Sequence, residues 1–275
     1  MKSLRCGPYT LALDRPLVMG IVNLTPDSFS GDGLSQTAAA IAHARRQLDE
    51  GADILDIGAE SSRPGAPPTP LDEELRRLVP VLAEVTTWGV PVSVDTYKPE
   101  VMGVALAAGA AMINDITGLA SAASLATVSA SACGICLMHM QGEPRTMQAA
   151  PDYGDVVAEV KAFLAGRVAA CRAAGIAEDR LVVDPGFCFG KTLAHNIALL
   201  RALPEFAAGG IALLAGLSRK SMLGALTGRP VAERLAASLA AAVLAAEKGA
   251  RILRVHDVAA TRDALAVLAA VDKGV

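Results

Sequence analysis

The sequence predicts a (β/α)8 barrel built as a single domain over residues 1–275. Three observations lead there. Short Val/Ile/Leu-rich runs alternate with longer Ala-rich segments of helical period, the pattern of βα units around a parallel sheet. Eight such pairs follow one another with no long linker between them, and eight units close into a barrel. Every apolar run ends in polar or charged residues, so one rim would collect them all. An open doubly wound sheet is the alternative, but it usually needs fewer strands.

The expected strands are 17–23, 54–58, 90–95, 112–116, 135–139, 181–184, 211–217 and 251–255. Each is a short run of branched apolar residues bounded by turn formers. The expected helices are 36–50, 72–87, 98–108, 121–132, 153–174, 192–203, 221–248 with a break at 228–230, and 259–272. Asp72, Glu73 and Glu74 place acids where a helix dipole favours them. Gly51, Gly109, Gly175 and Gly249 each follow an apolar helical run, as helix-terminating glycines do. The segments DEGADIL, AAGAAMI and EKGARIL then repeat one helix-to-strand passage.

Composition narrows the function classes. The chain is 52% hydrophobic but only 3% aromatic, so Ala, Leu, Val and Ile must build its core. Mean hydropathy is +0.41 and the isoelectric point about 5.8. A net charge of −3 offers no basic surplus for nucleic acid or an anionic membrane. No run reaches the ~18 apolar residues of a membrane span, and Asp14, Arg15 and Pro16 interrupt any N-terminal signal core. A cytoplasmic location is expected, and five cysteines, an odd number, fit a reducing compartment. Cys133 and Cys136 form a C-x-x-C. It reads as a redox or zinc pair, or as two small apolar fillers between a helix and a strand. No second pair follows at zinc spacing, which favours fillers.

The stretch LVVDPGFCFGKT (181–192) looks like a nucleotide loop after a strand. A phosphate-cradling P-loop needs four residues between its first Gly and the Gly-Lys pair, with bare backbone facing the phosphates. Here only three separate Gly186 from Gly190, and two are Phe187 and Phe189. Asp184 at the strand end is the better candidate.

Reading the strand ends in order gives Asn23, Glu60 with Ser61, Asp95, Asn114 with Asp115, His139, Asp184, Ser218-Arg219-Lys220, and Arg254 with His256. Any one could be a cap or turn former, but all eight together mark a site. Asp95, Asn114, Asp184 and Lys220 could read a flat heterocycle with an amidine-like donor edge. Arg63, Arg254 and His256, taken as cations, suit a phosphate or diphosphate. Asn23 offers a neutral oxygen to an Mg²⁺ that keeps most of its waters. Two long loops rich in Ser, Pro, Gly and Asp, 24–37 and 59–72, follow the first two strands and read as lids, with Phe29 covering a ligand.

These residues carry a resemblance. The segments MGIVNLTPDSFS, DIGAESSRPGA, VSVDTYKPEV, INDITGL, CLMHMQGEPRTMQ, VVDPGFCFGK, GLSRKSMLG and RVHDV run in order over almost the whole chain. It resembles the dihydropteroate synthases, the folate-pathway enzymes that sulfonamide drugs inhibit. The resemblance implies a transferase that joins (7,8-dihydropterin-6-yl)methyl diphosphate to 4-aminobenzoate by an SN1-like path, as a homodimer using Mg²⁺. It implies that Asp95, Asn114, Asp184 and Lys220 hold the pterin, with Met138 and Phe189 packed near it. Ser62, Arg63, Arg254 and His256 would contact the diphosphate, Asn23 the Mg²⁺, and Phe29, Pro64 and Ser221 the aminobenzoate. Asp95, Asp184, Lys220, Arg254 and His256 would be the catalytic set. Two departures stand out: Ser62 replaces a usual Thr, and Cys188 replaces a usual Gly, which matters if that position needs a positive φ. A pterin-binding corrinoid methyltransferase domain would share the carboxylates but lack SRKS and the Arg-Val-His run. A non-catalytic pterin-binding paralogue is the other alternative.

Overall fold

The structure, a computed structural model, describes residues 3–24, 37–61 and 65–274. A hairpin of β1 (Ser3–Cys6) and β2 (Tyr9–Ala12) precedes β3 (Leu17–Asn23), α1 (Thr37–Asp49), β4 (Ile54–Gly58), α2 (Leu71–Val85), β5 (Val92–Asp95) and α3 (Pro99–Ala107). There follow β6 (Met112–Asp115), α4 (Ala122–Ser129), β7 (Gly134–Met138), α5 (Val156–Ala173), β8 (Leu181–Asp184), α6 (Leu193–Arg201) and α7 (Leu203–Ala207). The chain ends with β9 (Ala212–Ala215), α8 (Ser221–Thr227), α9 (Leu235–Glu247), β10 (Ile252–Val255) and α10 (Val258–Lys273).

Strands β3 to β10 close into a barrel in chain order, with β10 beside β3. Every neighbouring pair is parallel. This is the (β/α)8 barrel the alternating pattern predicted. Several strands are one or two residues shorter than expected at an end: β5, β9 and β10 start later, and β6, β7 and β9 stop earlier. The expected helix 192–203 ends sooner, and Pro204 sits in the first turn of the separate α7. The break at 228–230 parts α8 from α9, with a 3₁₀ turn over Val231–Glu233.

Side chains along each strand alternate between two cores. Val18, Val22, Leu55, Ile57 and Val94 face the helices. Leu17, Met19, Ile54, Met112, Val182, Leu214 and Ile252 fill the barrel's lower interior, with Leu4 and Cys6 of the hairpin in the same cluster. The hairpin thus closes the bottom of the barrel. It packs so tightly that a Cβ on Gly134 would stand 2.8 Å from the Cβ of Cys6. The sequence pattern predicts no element here, because two four-residue strands carry too little periodicity to stand out.

Moving two residues along a strand keeps the inward face and climbs one layer. Ile54 is followed by Asp56, Met112 by Asn114, Val182 by Asp184 and Ile252 by Arg254. The interior therefore changes from apolar to charged toward the C-terminal rim.

Candidate active site

Arg254 spans this upper layer. Its Nε donates to Asp56 Oδ2 at 2.6 Å and its Nη2 to Asp95 Oδ2 at 2.8 Å. Asn114 Nδ2 also donates to Asp56 Oδ2, at 3.3 Å. Asp95 and Asn114 were expected together at the pterin and Arg254 at the diphosphate; Asp56 was not expected in the site. Its sequence signal was a carboxylate inside the apolar run ILDIG, in phase with inward Ile54. Burial pushes the Asp95 carboxyl up to about 7, against the pull of Arg254 and with the push of Asp56. Burial alone would lower the Arg254 pKa, but Asp56 and Asp95 outweigh it and raise it, so the guanidinium stays charged.

Asp184, Lys220, Met138 and Phe189 form the neighbouring wall. Met138 pairs with Asp184 across β7 and β8. Asp184 Oδ1 accepts the Gly186 N–H at 2.7 Å, so this residue also caps its own turn. Burial raises its pKa, and Lys220 is the main opposing charge. Lys220 Nζ donates to the Phe187 carbonyl at 2.7 Å and stands 4.9 Å from the Phe189 ring centre. Gly186 has φ 70°, and a Cβ there would lie 1.9 Å from the His139 carbonyl oxygen, so only glycine fits.

Cys188 adopts φ 66°, the left-handed conformation that its usual glycine would favour. Its N–H donates to Asn196 Oδ1 at 2.7 Å, which holds the strained turn. Lys191 is buried and donates to the Gly186 and Phe189 carbonyls, both at 2.9 Å, while pairing with His139 Nδ1 at 2.9 Å. The ammonium serves its own loop, so the segment is not a phosphate cradle. Burial lowers the Lys191 pKa to about 7 and that of His139 to about 3.

His256 corrects one expectation. Burial, then Arg254, Arg219 and Lys220, hold its pKa well below the usual imidazole value. Its Nδ1 lies 3.0 Å from Ser218 Oγ. In the ligand-free protein it is a neutral ring and not a third cation. Asn23 ends β3 half-buried, and Ser221 opens α8 exposed to solvent. Ser62, Arg63, Pro64 and Phe29 lie outside the described residues.

Not every rim polar group faces the site. Asp115 caps its own turn, accepting from Thr117 N at 2.7 Å and Leu119 N at 3.0 Å. Glu60 pairs with Lys98 at 2.7 Å beside buried Glu74, and it also accepts from Thr69 N at 2.9 Å. A cavity of about 360 Å³ opens over Asp95, between Glu60, Tyr97, Ile116, Met140 and Arg145. Cys133 and Cys136 are free, buried, and lie in opposite cores, so the filler reading holds.

The profile of the pterin-binding enzymes matches residues 19–256. The chain is 55% identical over 267 residues to dihydropteroate synthase of Neisseria meningitidis serogroup C, covering 95% of this chain and 94% of that one. The chain belongs to the dihydropteroate synthase family of pterin-binding enzymes. It is by that membership a transferase of folate biosynthesis. The Burkholderia cenocepacia dihydropteroate synthase, solved with 7,8-dihydropteroate, superposes with a TM-score of 0.91 at 53% identity, covering 99% of this chain and 97% of that one. The Yersinia pestis dihydropteroate synthase, solved as a sulfonamide drug complex, gives 0.95 at 45% identity, covering 98% and 99%. Among the described residues no helix is long and apolar enough to cross a membrane.

Proposed function

We propose that this chain, as one domain over residues 1–275, condenses (7,8-dihydropterin-6-yl)methyl diphosphate with 4-aminobenzoate to give 7,8-dihydropteroate and diphosphate. The observation that carries the reading is the charged upper layer: Asp95, Asn114 and Asp184 supply acceptors for the pterin's amidine-like edge, with Arg254 and Lys220 beside them. Met138 and Phe189 give that pocket its apolar walls. Ser62 and Arg63 join Arg254 and His256 around the diphosphate, while Phe29, Pro64 and Ser221 line the aminobenzoate site.

Chemistry follows from the weak nucleophile. An aniline attacks slowly, so the leaving group must depart first. The C–O bond breaks with its electron pair going to diphosphate, and positive charge develops on the pterin methylene. The amine nitrogen forms the new C–N bond and releases its proton to solvent or to the departed diphosphate. Arg254 and Arg63 stabilise the growing negative charge. His256, neutral when the site is empty, gains a reason to take a proton when a diphosphate stands beside it. Asp184 supports the cationic pterin while it holds the ring.

Mg²⁺ fits this arrangement. Among the described residues no cluster of three His, Cys, Asp or Glu could hold a metal by itself. The neutral amide of Asn23 suits an ion that takes the rest of its shell from water and phosphate, and when bound it would neutralise diphosphate charge. A homodimer is part of the same reading: Leu244 on α9, with Val267 and Val271 on α10, expose apolar surface a second copy could cover. Five unpaired cysteines agree with a cytoplasmic setting. Release of diphosphate that requires both substrates tests the activity. Pterin binding with no diphosphate release when both substrates are present would overturn it in favour of the non-catalytic paralogue, and methyl transfer to a corrinoid would overturn it in favour of the methyltransferase domain.

A further inference from the structure

We propose that Asp56 is the positioning residue of this site: it sets the direction of the Asn114 amide and tethers Arg254 at Nε, so that an entering ligand displaces only the guanidinium arm resting on Asp95. The inference builds on the pterin reading of the pocket given above.

Asp56 is fully buried, and one oxygen, Oδ2, receives both Arg254 Nε and Asn114 Nδ2. The Asn114 amide can present nitrogen or oxygen to a ligand. With one N–H held on a buried carboxylate, the amide's direction is set: its oxygen is left to accept from a ligand N–H and its second N–H to donate. Arg254 is the second consequence. Its guanidinium is an amidine-like donor, and its Nη2 stands on Asp95, the acceptor assigned to the ligand's own donor edge. Arginine and ligand therefore compete for Asp95. They do not compete for Asp56. Asp95 pairs in register with Gly58, so Asp56 lies two residues deeper in the barrel. The ligand would reach the upper carboxylate and leave the lower ion pair intact. The freed arm of Arg254, still held at Nε, would remain at hand for the negative charge of the leaving group. Without Asp56 the amide can turn either way, and the guanidinium loses its pivot.

Asp56→Asn keeps the shape and removes the charge. Calorimetry with 6-hydroxymethylpterin, which has no phosphate, reads the Asn114 arm; titration with inorganic diphosphate reads the Arg254 arm. Asp56→Asn is expected to weaken both by roughly tenfold or more, the scale of a lost charge-assisted hydrogen bond. In an Arg254→Gln background the same change should still weaken the pterin but leave diphosphate binding as Arg254→Gln alone has it. A merely structural counter-ion would not split the two ligands in this way. Wild-type affinity for both ligands in folded Asp56→Asn overturns the proposal. If that variant does not fold, the double variant is compared with Arg254→Gln, and equal pterin affinity overturns it. Asp95→Asn separates the layers of inference. If it also binds pterin normally, the pocket reading itself falls; if it alone loses pterin, only the role of Asp56 does.

Discussion

Cys188 shows how one residue can carry a local conflict. A side chain at φ 66° costs about 1–2 kcal/mol, and the hydrogen bond from its N–H to Asn196 holds it there. Cys188→Gly should therefore leave the melting temperature unchanged or raise it. Cys188→Val, β-branched at the same φ, should lower stability by about 2 kcal/mol; thermal unfolding of both variants checks this. Asp95 makes a prediction about pH. Its carboxyl in the ligand-free protein sits near 7 because it is buried, so below that pH it holds a proton. A protonated carboxyl is a poor acceptor for a donor edge. The kcat/KM for the pterin substrate should fall as pH drops below about 7 and level off above it. Asp95→Asn should be lower throughout and flat in that window. A wild-type profile that is equally flat would show that Asp95 does not titrate there.

The passage from β4 to α2 shows what an element's ends can do. Lys98, just before α3, donates to Glu60 at 2.7 Å, to Glu74 at 2.5 Å and to the Thr69 carbonyl at 2.8 Å. Both ends of the segment 60–70 are thereby joined to one ammonium, and Thr96, next to Asp95, donates to Glu74 at 2.9 Å. The acids of the first helical turn were legible in the sequence as dipole partners. Their other work was not: Glu73 turns outward to Arg76 and Arg77, and Glu74 turns inward to Lys98. Lys98→Met should strand two buried carboxylates and lower stability by about 3 kcal/mol. Calorimetric unfolding would read this as a clear drop in Tm. A loss within experimental error would mean that solvent, not Lys98, stabilises those acids.

At the scale of the molecule, the floor of the barrel is made by a segment that is not part of the barrel. Leu4 and Cys6 are fully buried against the lower layer. Leu4→Ala should cost about 3 kcal/mol while leaving ligand affinities unchanged, since the site lies at the opposite end. Equilibrium unfolding beside pterin titration checks both halves. Close by, Asp53 joins Arg15 at 2.7 Å, Arg262 at 2.8 Å and the Val18 N–H at 2.8 Å, tying the barrel entry to α10. Burial raises its pKa, but Arg15, Val18 and Arg262 outweigh burial, and the net shift is below the unfolded value of 3.8. A depressed carboxyl stabilises the fold fully above its unfolded pKa and loses that contribution as pH falls through the folded one. The stability gap between wild type and Asp53→Asn should thus be widest near neutrality and narrow in acid below that value. Urea titrations across that range measure it.

The sequence by itself determined the eight βα units, their order and the chemistry of the rim. Periodicities of two and 3.6 residues are local properties, and polar residues that end an apolar run announce themselves. The family resemblance, not any local pattern, flagged Cys188, at a position where the family usually has glycine. Tertiary structure alone decided which rim groups face inward. Asp115 turns to its own loop and His139 to Lys191 of the loop after β8, while Asp56, hidden in an apolar strand, meets an arginine 198 residues away. It decided that His256 is neutral when the site is empty, since its charge depends on the company of Arg254, Arg219 and Lys220. And it decided that residues 3–12 form a floor, because their pattern acquires meaning only against the open lower end of a closed barrel. Contacts between strands distant in the chain leave no local period, and only closure of the barrel sets which of those side chains meet.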